Sequence, residues 1–153
     1  MPQKRLLFPK IKKVQWETFE LPDKPEPFEI YAETEYSLVS VGTELALYTG
    51  THIGFTLPNP PFPMMPQRPG YALVGTVTAT GDFVTSVQPG QQVMMEAPHG
   101  TMGVIDERHS RMVVLPKELD GHVATLIRMA DIALTALPVA PIQFGDPVVV
   151  YGL

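Results

Sequence analysis

Proline interrupts this chain so often that long helices have little room to form. There are 17 prolines in 153 residues. Each one placed inside a helix costs about 3 kcal/mol and removes a backbone donor. A helix bundle is therefore excluded, and a β-rich domain with many turns is expected. Twelve glycines supply further turn positions. Hydrophobic residues make up 44% and charged residues only 18%, the balance of a chain with a core. Cysteine is absent, which rules out disulfides, iron–sulfur clusters, zinc fingers and a thiolate nucleophile.

The formal net charge is −5, so the chain lacks the basic balance of a nucleic-acid-binding domain. Five of the cations fall in the first thirteen residues (Lys4, Arg5, Lys10, Lys12 and Lys13). Pro2 and Pro9 interrupt that segment, and Leu6-Leu7-Phe8 is too short for the apolar region of a signal peptide. The most apolar longer stretch, residues 123–139, contains Arg128, Asp131 and Pro138 and does not read as a membrane span. A soluble cytoplasmic protein with neither nucleic-acid nor membrane partners is expected.

Short strands are expected at residues 14–21, 28–31, 35–41, 70–80, 92–95 and 111–115, with Val84 and Val87 resuming a strand after the Gly81-Asp82 turn. Gly75, alone inside its strand, marks a bulge or a close backbone approach. Residues 44–48 suit one helical turn closed by Gly50. Residues 51–69 form a proline-rich loop of the length that often lines a site or grips a neighbour. From Asp120, a capping residue, the period becomes helical: Val123, Leu126, Ile127, Ala130, Leu134 and Leu137 share a face until Pro138. Residues 147–153, Pro-Val-Val-Val-Tyr-Gly-Leu, read as a strand buried on both faces of a parallel sheet.

Several segments in order carry a resemblance: Ser40-Val41-Gly42-Thr43-Glu44, Gly50, Pro69-Gly70-Tyr71-Ala72-Leu73-Val74-Gly75-Thr76-Val77, Val84, Pro89-Gly90-Gln91-Gln92-Val93, Ala133-Leu134-Thr135-Ala136-Leu137 and Gly145-Asp146-Pro147. Together they resemble the N-terminal half of the medium-chain dehydrogenases/reductases, the superfamily of zinc alcohol dehydrogenases and zinc-free quinone oxidoreductases. The resemblance implies a mainly β, GroES-like, partly open barrel with a few helices over residues 1–145, including a helix near 122–137. Residues 146–153 would then be the first strand of a Rossmann domain that is otherwise absent. Gly152 would be the first cofactor-binding glycine of its phosphate turn, and the 153 residues alone are expected to bind no dinucleotide tightly.

Zinc members of that superfamily hold their metal with a Cys before Gly-Thr-Asp, a His-Glu pair after a glycine, and a Cys or Glu on a later helix. Those positions here are Val41, Tyr71-Ala72 and Arg128. None of them offers zinc a thiolate, imidazole or carboxylate, so no catalytic metal is expected. The charge developing on a substrate oxygen then has to be met by hydrogen-bond donors or a cation. By its mapped position Thr43 lies beside the nicotinamide as a proton-relay hydroxyl, Tyr71 directs a phenol into the cleft, and Arg128 replaces the lost metal charge. Each has a plainer reading: Thr43 capping a helix, Tyr71 packing in the barrel, Arg128 pairing with Asp131 or Glu44. Glu44 stands where relatives carry the Asp that supports a metal-binding His. The four histidines, His52, His99, His109 and His122, read as loop residues with ordinary solvation, and residues 106–109 as a solvated turn.

The resulting expectation is the catalytic-domain portion of an NAD(P)-dependent oxidoreductase, with NADP favoured and no zinc. It would move hydride to or from a carbonyl, alcohol or activated alkene on a small-molecule substrate, and a homodimer of the longer protein remains open. Two alternatives stand beside it: a non-catalytic GroES-like binding or assembly module, and a dehydrogenase retaining zinc through other ligands.

Overall fold

The computed structural model describes residues 2–60, 64–135 and 137–149. Among these residues, seven strands and three short helices follow one another: β1 (Gln3–Leu7), β2 (Gln15–Phe19), β3 (Glu29–Ser37), α1 (Thr43–Thr49), β4 (Leu73–Thr80), β5 (Gln92–Met95), β6 (Met102–Asp106), β7 (Met112–Val114), α2 (Gly121–Ala124) and α3 (Ile127–Leu134). A 3-10 turn, Ile53–Thr56, follows α1. The chain is mainly β, with a GroES-like arrangement. Strands β6-β3-β4-β5-β7 form one antiparallel sheet whose edge strands do not pair, so the sheet stays open rather than closing into a barrel. β1 and β2 form a separate hairpin, joined to the body by isolated bridges Arg5–Gly100 and Phe8–Gln67.

Alternation along the strands fills both faces of the large sheet. Ile30, Ala32, Leu73, Val77, Val93 and Met95 point to one side, where Val87, Ala97 and Ile105 complete a core. Val74 and Met94 point to the other and meet Leu115 and Ala124, so α2 covers that face. Leu73, Val74, Val93 and Met95 are fully buried, each contributing on the order of 1.5–3 kcal/mol of transfer free energy.

Several expectations change. The two segments expected at 28–31 and 35–41 are one strand, β3, because its bulges let it bend without breaking the ladder. Residues 83–88 resume no strand; Val87 instead enters the core from a loop. β6 had no alternating apolar signal, since Gly103 occupies an inward position, where a Cβ would sit 2.5 Å from Met95 Sδ and 3.2 Å from Leu73 Cδ2. On β2, Trp16 and Thr18 face solvent while Glu17 and Phe19 turn inward, because Glu17 holds Arg5 and Arg68.

The helix expected near 122–137 is two. Asp120 caps α2 through His122 N and Val123 N, as its side chain foretold. At its end Leu126 N bonds Val123 O rather than His122 O, and the Thr125 hydroxyl takes the His122 carbonyl instead. That tighter step separates α3. No residue of α3 is buried, and Leu126, Leu134 and Leu137 are exposed. Residues 147–149 form no strand, and residues 150–153, with the rest of that expectation, lie outside the described residues.

Candidate functional site

Three connections meet at one end of the large sheet. β3 ends at Ser37 opposite Leu73, the first residue of β4, and Leu73 pairs with Met95 at the end of β5. The segments leaving β3, entering β4 and leaving β5 therefore converge, and they carry Thr43 and Glu44, Tyr71, and Glu96 and His99.

Glu44 is the anchor. Its position on the first turn of α1 is set by its own N–H donating to Ser40 O, and Ser40 N donates back to Glu44 Oε1 at 2.9 Å. Gly50, at φ 78, closes the helix. Glu44 is 4% exposed, and its Oε2 lies 2.8 Å from Nε2 of His99, itself 5% exposed. The other ring nitrogen, Nδ1, lies 2.8 Å from Ser37 Oγ. Pro69-Gly70 holds the histidine backbone: His99 N donates to Pro69 O, and Gly70, at φ 111, sits where a Cβ would be 2.4 Å from His99 N. His99 is thus not the solvated loop histidine that the sequence suggested. Glu44 and His99 are 55 residues apart, and no spacing rule joins them; only the fold does. Of the others, His52 Nδ1 accepts from Gly54 N, His122 stacks on Tyr36 at 3.9 Å, and His109 is exposed in the turn after β6.

Around Glu44 lies a cleft of about 270 Å³ lined by Thr43, Leu47, Arg68, Pro69, Gly70 and Tyr71 among others. Thr43 is exposed there and does not cap α1, whose cap residue is Gly42. Tyr71 is half-buried. On its far side Glu44 also borders an apolar groove of about 310 Å³ lined by Leu6, Phe8, Val39, Val41 and Leu45. Arg128 lies in a third, neighbouring cleft of about 420 Å³, with Glu96, Arg111 and Asp131. Its Nη1 donates to Asp131 Oδ2, a carboxylate that Arg111 shares at 2.9 Å. Its Nε is 2.7 Å from Glu96 Oε1, a charge contact in which neither atom finds an aligned hydrogen bond. The guanidinium carbon stands 5.9 Å from the Tyr71 ring centroid, so Tyr71 links the two clefts. The structure thus brings Thr43, Glu44 and Tyr71 together and sets Arg128 beside them, paired with Asp131 and not with Glu44. Gly152 lies outside the described residues. Among the described residues no three His, Cys, Asp or Glu side chains are grouped to hold a metal, and no helix is long and apolar enough to cross a membrane.

The chemical capacity of this end follows. The Thr43 cleft offers the exposed Thr43 hydroxyl, the Tyr71 phenol and the Gln67 and Arg68 side chains beside the apolar Leu47 and Pro69, with Glu44 at its border. The described residues contain no glycine-rich turn opening a helix, so the phosphates of a dinucleotide find no cradle in them.

The family described as alcohol dehydrogenase GroES-like domain matches residues 37–139. Among solved structures, an oxidoreductase/dehydrogenase of unknown specificity from Escherichia coli is similar at TM-score 0.75 and 19% identity, covering 95% of this chain and 49% of that one. The 2R,3R-butanediol dehydrogenase from Bacillus subtilis gives TM-score 0.75 at 20% identity, covering 94% and 49%. The quinone oxidoreductase from Coxiella burnetii gives 0.74 at 19%, covering 95% and 47%. The chain spans about half the length of each of these structures. Among curated proteins none matches the sequence significantly.

Proposed function

The chain belongs to the alcohol dehydrogenase GroES-like domain family, the N-terminal domain of the medium-chain dehydrogenases/reductases, and from that premise we propose that it is the catalytic-domain portion of a zinc-independent, NAD(P)-dependent oxidoreductase. Its substrate is a small molecule bearing a carbonyl, an alcohol or an activated alkene, with NADP the favoured cofactor. The observation that carries this reading is the convergence of Thr43, Glu44 and Tyr71 on one cleft, with the Arg128 cation against the Tyr71 ring. A bound nicotinamide supplies or accepts the hydride. The chain's own residues do the rest: Thr43 presents a hydroxyl, Tyr71 donates a phenolic hydrogen bond to the substrate oxygen, and Arg128 adds positive charge behind it. Such preorganised donors are worth about 10²–10³-fold each in acyl-transfer enzymes and act here on an alkoxide or enolate. The reading without zinc is supported by the donor set at the mapped positions: Val41, Ala72 and Arg128 offer a metal nothing, and Tyr71 already has the guanidinium for a neighbour.

The test is turnover by the full-length protein. Reduced nicotinamide oxidation with a panel of quinones, enones and aldehydes is expected without added metal and after chelation. Thr43→Ala and Tyr71→Phe are expected to lower kcat/KM by at least about tenfold. Stoichiometric zinc that is required for turnover would refute the metal-free reading.

A further inference from the structure

Residues 1–16 carry five cations and no carboxylate, whereas the rest of the chain carries six cations and 16 carboxylates. The formal charge is thus +5 on the opening segment and −10 on the remainder. We propose that the tip of the β1–β2 hairpin docks on an anionic lipid bilayer, its lysines meeting the headgroups while Ile11, Val14 and Trp16 enter the interface. This departs from the expectation of no membrane partner, which followed from the lack of a spanning segment and does not bear on contact at the surface.

Every residue from Lys10 to Trp16 is exposed. Among the described residues, no carboxylate pairs with Lys10, Lys12 or Lys13. Arg5 differs, because Glu17 neutralises it together with Arg68. Glu20 lies at the opposite, open end of the hairpin beside Pro2 and Gln3. Interleaved with the lysines, Ile11, Val14 and Trp16 are 44%, 53% and 62% exposed. Trp16 pairs with Leu6 across the hairpin, on its outward side. Val14 also lines the apolar groove with Leu6, Phe8, Val39 and Val41, so the apolar area continues beyond the tip.

The tip is anchored to the end of α1. Lys12, at φ 59, donates its N–H to Tyr48 O at 2.7 Å, and the Tyr48 hydroxyl donates to Lys12 O at 3.3 Å. Ile11 lies against Gly50, where a Cβ would come within 2.6 Å of its Cδ1. Cations and apolar groups are therefore presented together by a fixed backbone.

That combination selects the partner. A solvated lysine face needs no exposed tryptophan, and the cores of protein–protein interfaces are depleted in lysine. At a bilayer surface both are accommodated: indole sits at headgroup depth, and lysine stems bury while their ammonium groups stay at the phosphates. The opposite sign of the rest of the chain turns the molecule tip first towards an anionic surface.

Co-sedimentation of the full-length protein with vesicles tests this, and no readout depends on turnover. Binding is expected to phosphatidylcholine vesicles containing about one third phosphatidylserine, and not to phosphatidylcholine alone. It should fall by at least about tenfold on going from low salt to about 1 M, where charges are screened within about 3 Å. Lys10→Gln, Lys12→Gln and Lys13→Gln together are expected to weaken it about 10²-fold, about fivefold for each lysine. Trp16→Ser keeps every cation and should still lose at least about tenfold. The emission difference between the parent and Trp16→Phe should move to shorter wavelength on anionic vesicles, a readout that stands even where the lysine variants fold poorly. Equal binding to neutral vesicles, no binding to anionic ones at low salt, parent-like affinity of the folded lysine variant, or unmoved Trp16 emission overturns the proposal. Binding to heparin without binding to anionic vesicles makes the tip a polyanion site and overturns it too.

Discussion

At the scale of single residues, the side chains that matter most are those whose partners are distant in sequence. Glu17 accepts from Arg68 Nε at 2.7 Å and Nη2 at 2.9 Å, and from Arg5. Arg68 first and Arg5 second hold its carboxyl down at about 2. A carboxyl depressed on folding contributes stability above its ordinary value, and that contribution fades as pH falls from about 4.5 through about 2. Undocking of the β1–β2 hairpin is therefore expected in that window, followed by fluorescence of Trp16, the sole tryptophan. Glu17→Gln should flatten the acid transition, and an unchanged profile would contradict the assignment. The Glu44–His99 pair is buried instead, at 5% and 7% side-chain exposure. Glu44→Ala leaves the imidazole without its acceptor, and a loss of about 3 kcal/mol in denaturant unfolding is expected. None of these pairings was legible in the sequence. Composition showed that carboxylates were available, and the mapped motifs put Glu44 in the site, but its partner depended on where residues 96–101 fold back.

At the scale of elements, local rules were read well wherever a backbone constraint set the answer. Gly75 does mark both a bulge and a close approach: the β3–β4 register shifts between Thr34 and Tyr36, and a Cβ at Gly75 would lie 2.2 Å from Glu33 O. Gly75→Ala is expected to lower stability by about 2–3 kcal/mol, since backbone rather than a flexible side chain must give way. A Tm equal to the parent's would mean that β3 opens there freely. Asp120 caps α2 as expected, and Asp120→Ala should cost about 1 kcal/mol, read by thermal unfolding. Periodicity served less well. It laid one apolar face along residues 123–137, yet a Thr125 hydroxyl bond splits the helix and leaves α3 with no buried residue. On β2 an ion pair outweighed the alternation of Val14 and Trp16. Hydrophobic pattern reports an average preference, whereas a single satisfied polar contact selects the face.

At the scale of the whole molecule, family order carried the fold more surely than any residue pattern. The motifs that suggested a GroES-like domain fall within the matched span 37–139 or beside it, and the open sheet agrees with them. Residues 1–153 alone are expected to bind NADPH no more tightly than about micromolar by calorimetry, because the described residues offer no cradle for phosphates. A submicromolar affinity would place the nucleotide site within this chain. One consequence of the sheet's geometry is practical. Among the described residues, the candidate site residues sit near where β3, β4 and β5 meet at Ser37, Leu73 and Met95, on the segment entering β4 or on α1 and α3. The opposite rim carries, among the described residues, the glycine corner at 81–82, the loop 85–91 and the arginine-clasped bend at 106–110. That rim is a handle. A dye, a biotin or a surface tether placed at Thr85 or Gln88, both exposed, should leave the chemistry at the other end untouched, so the protein can be immobilised facing outward for the very assays it calls for.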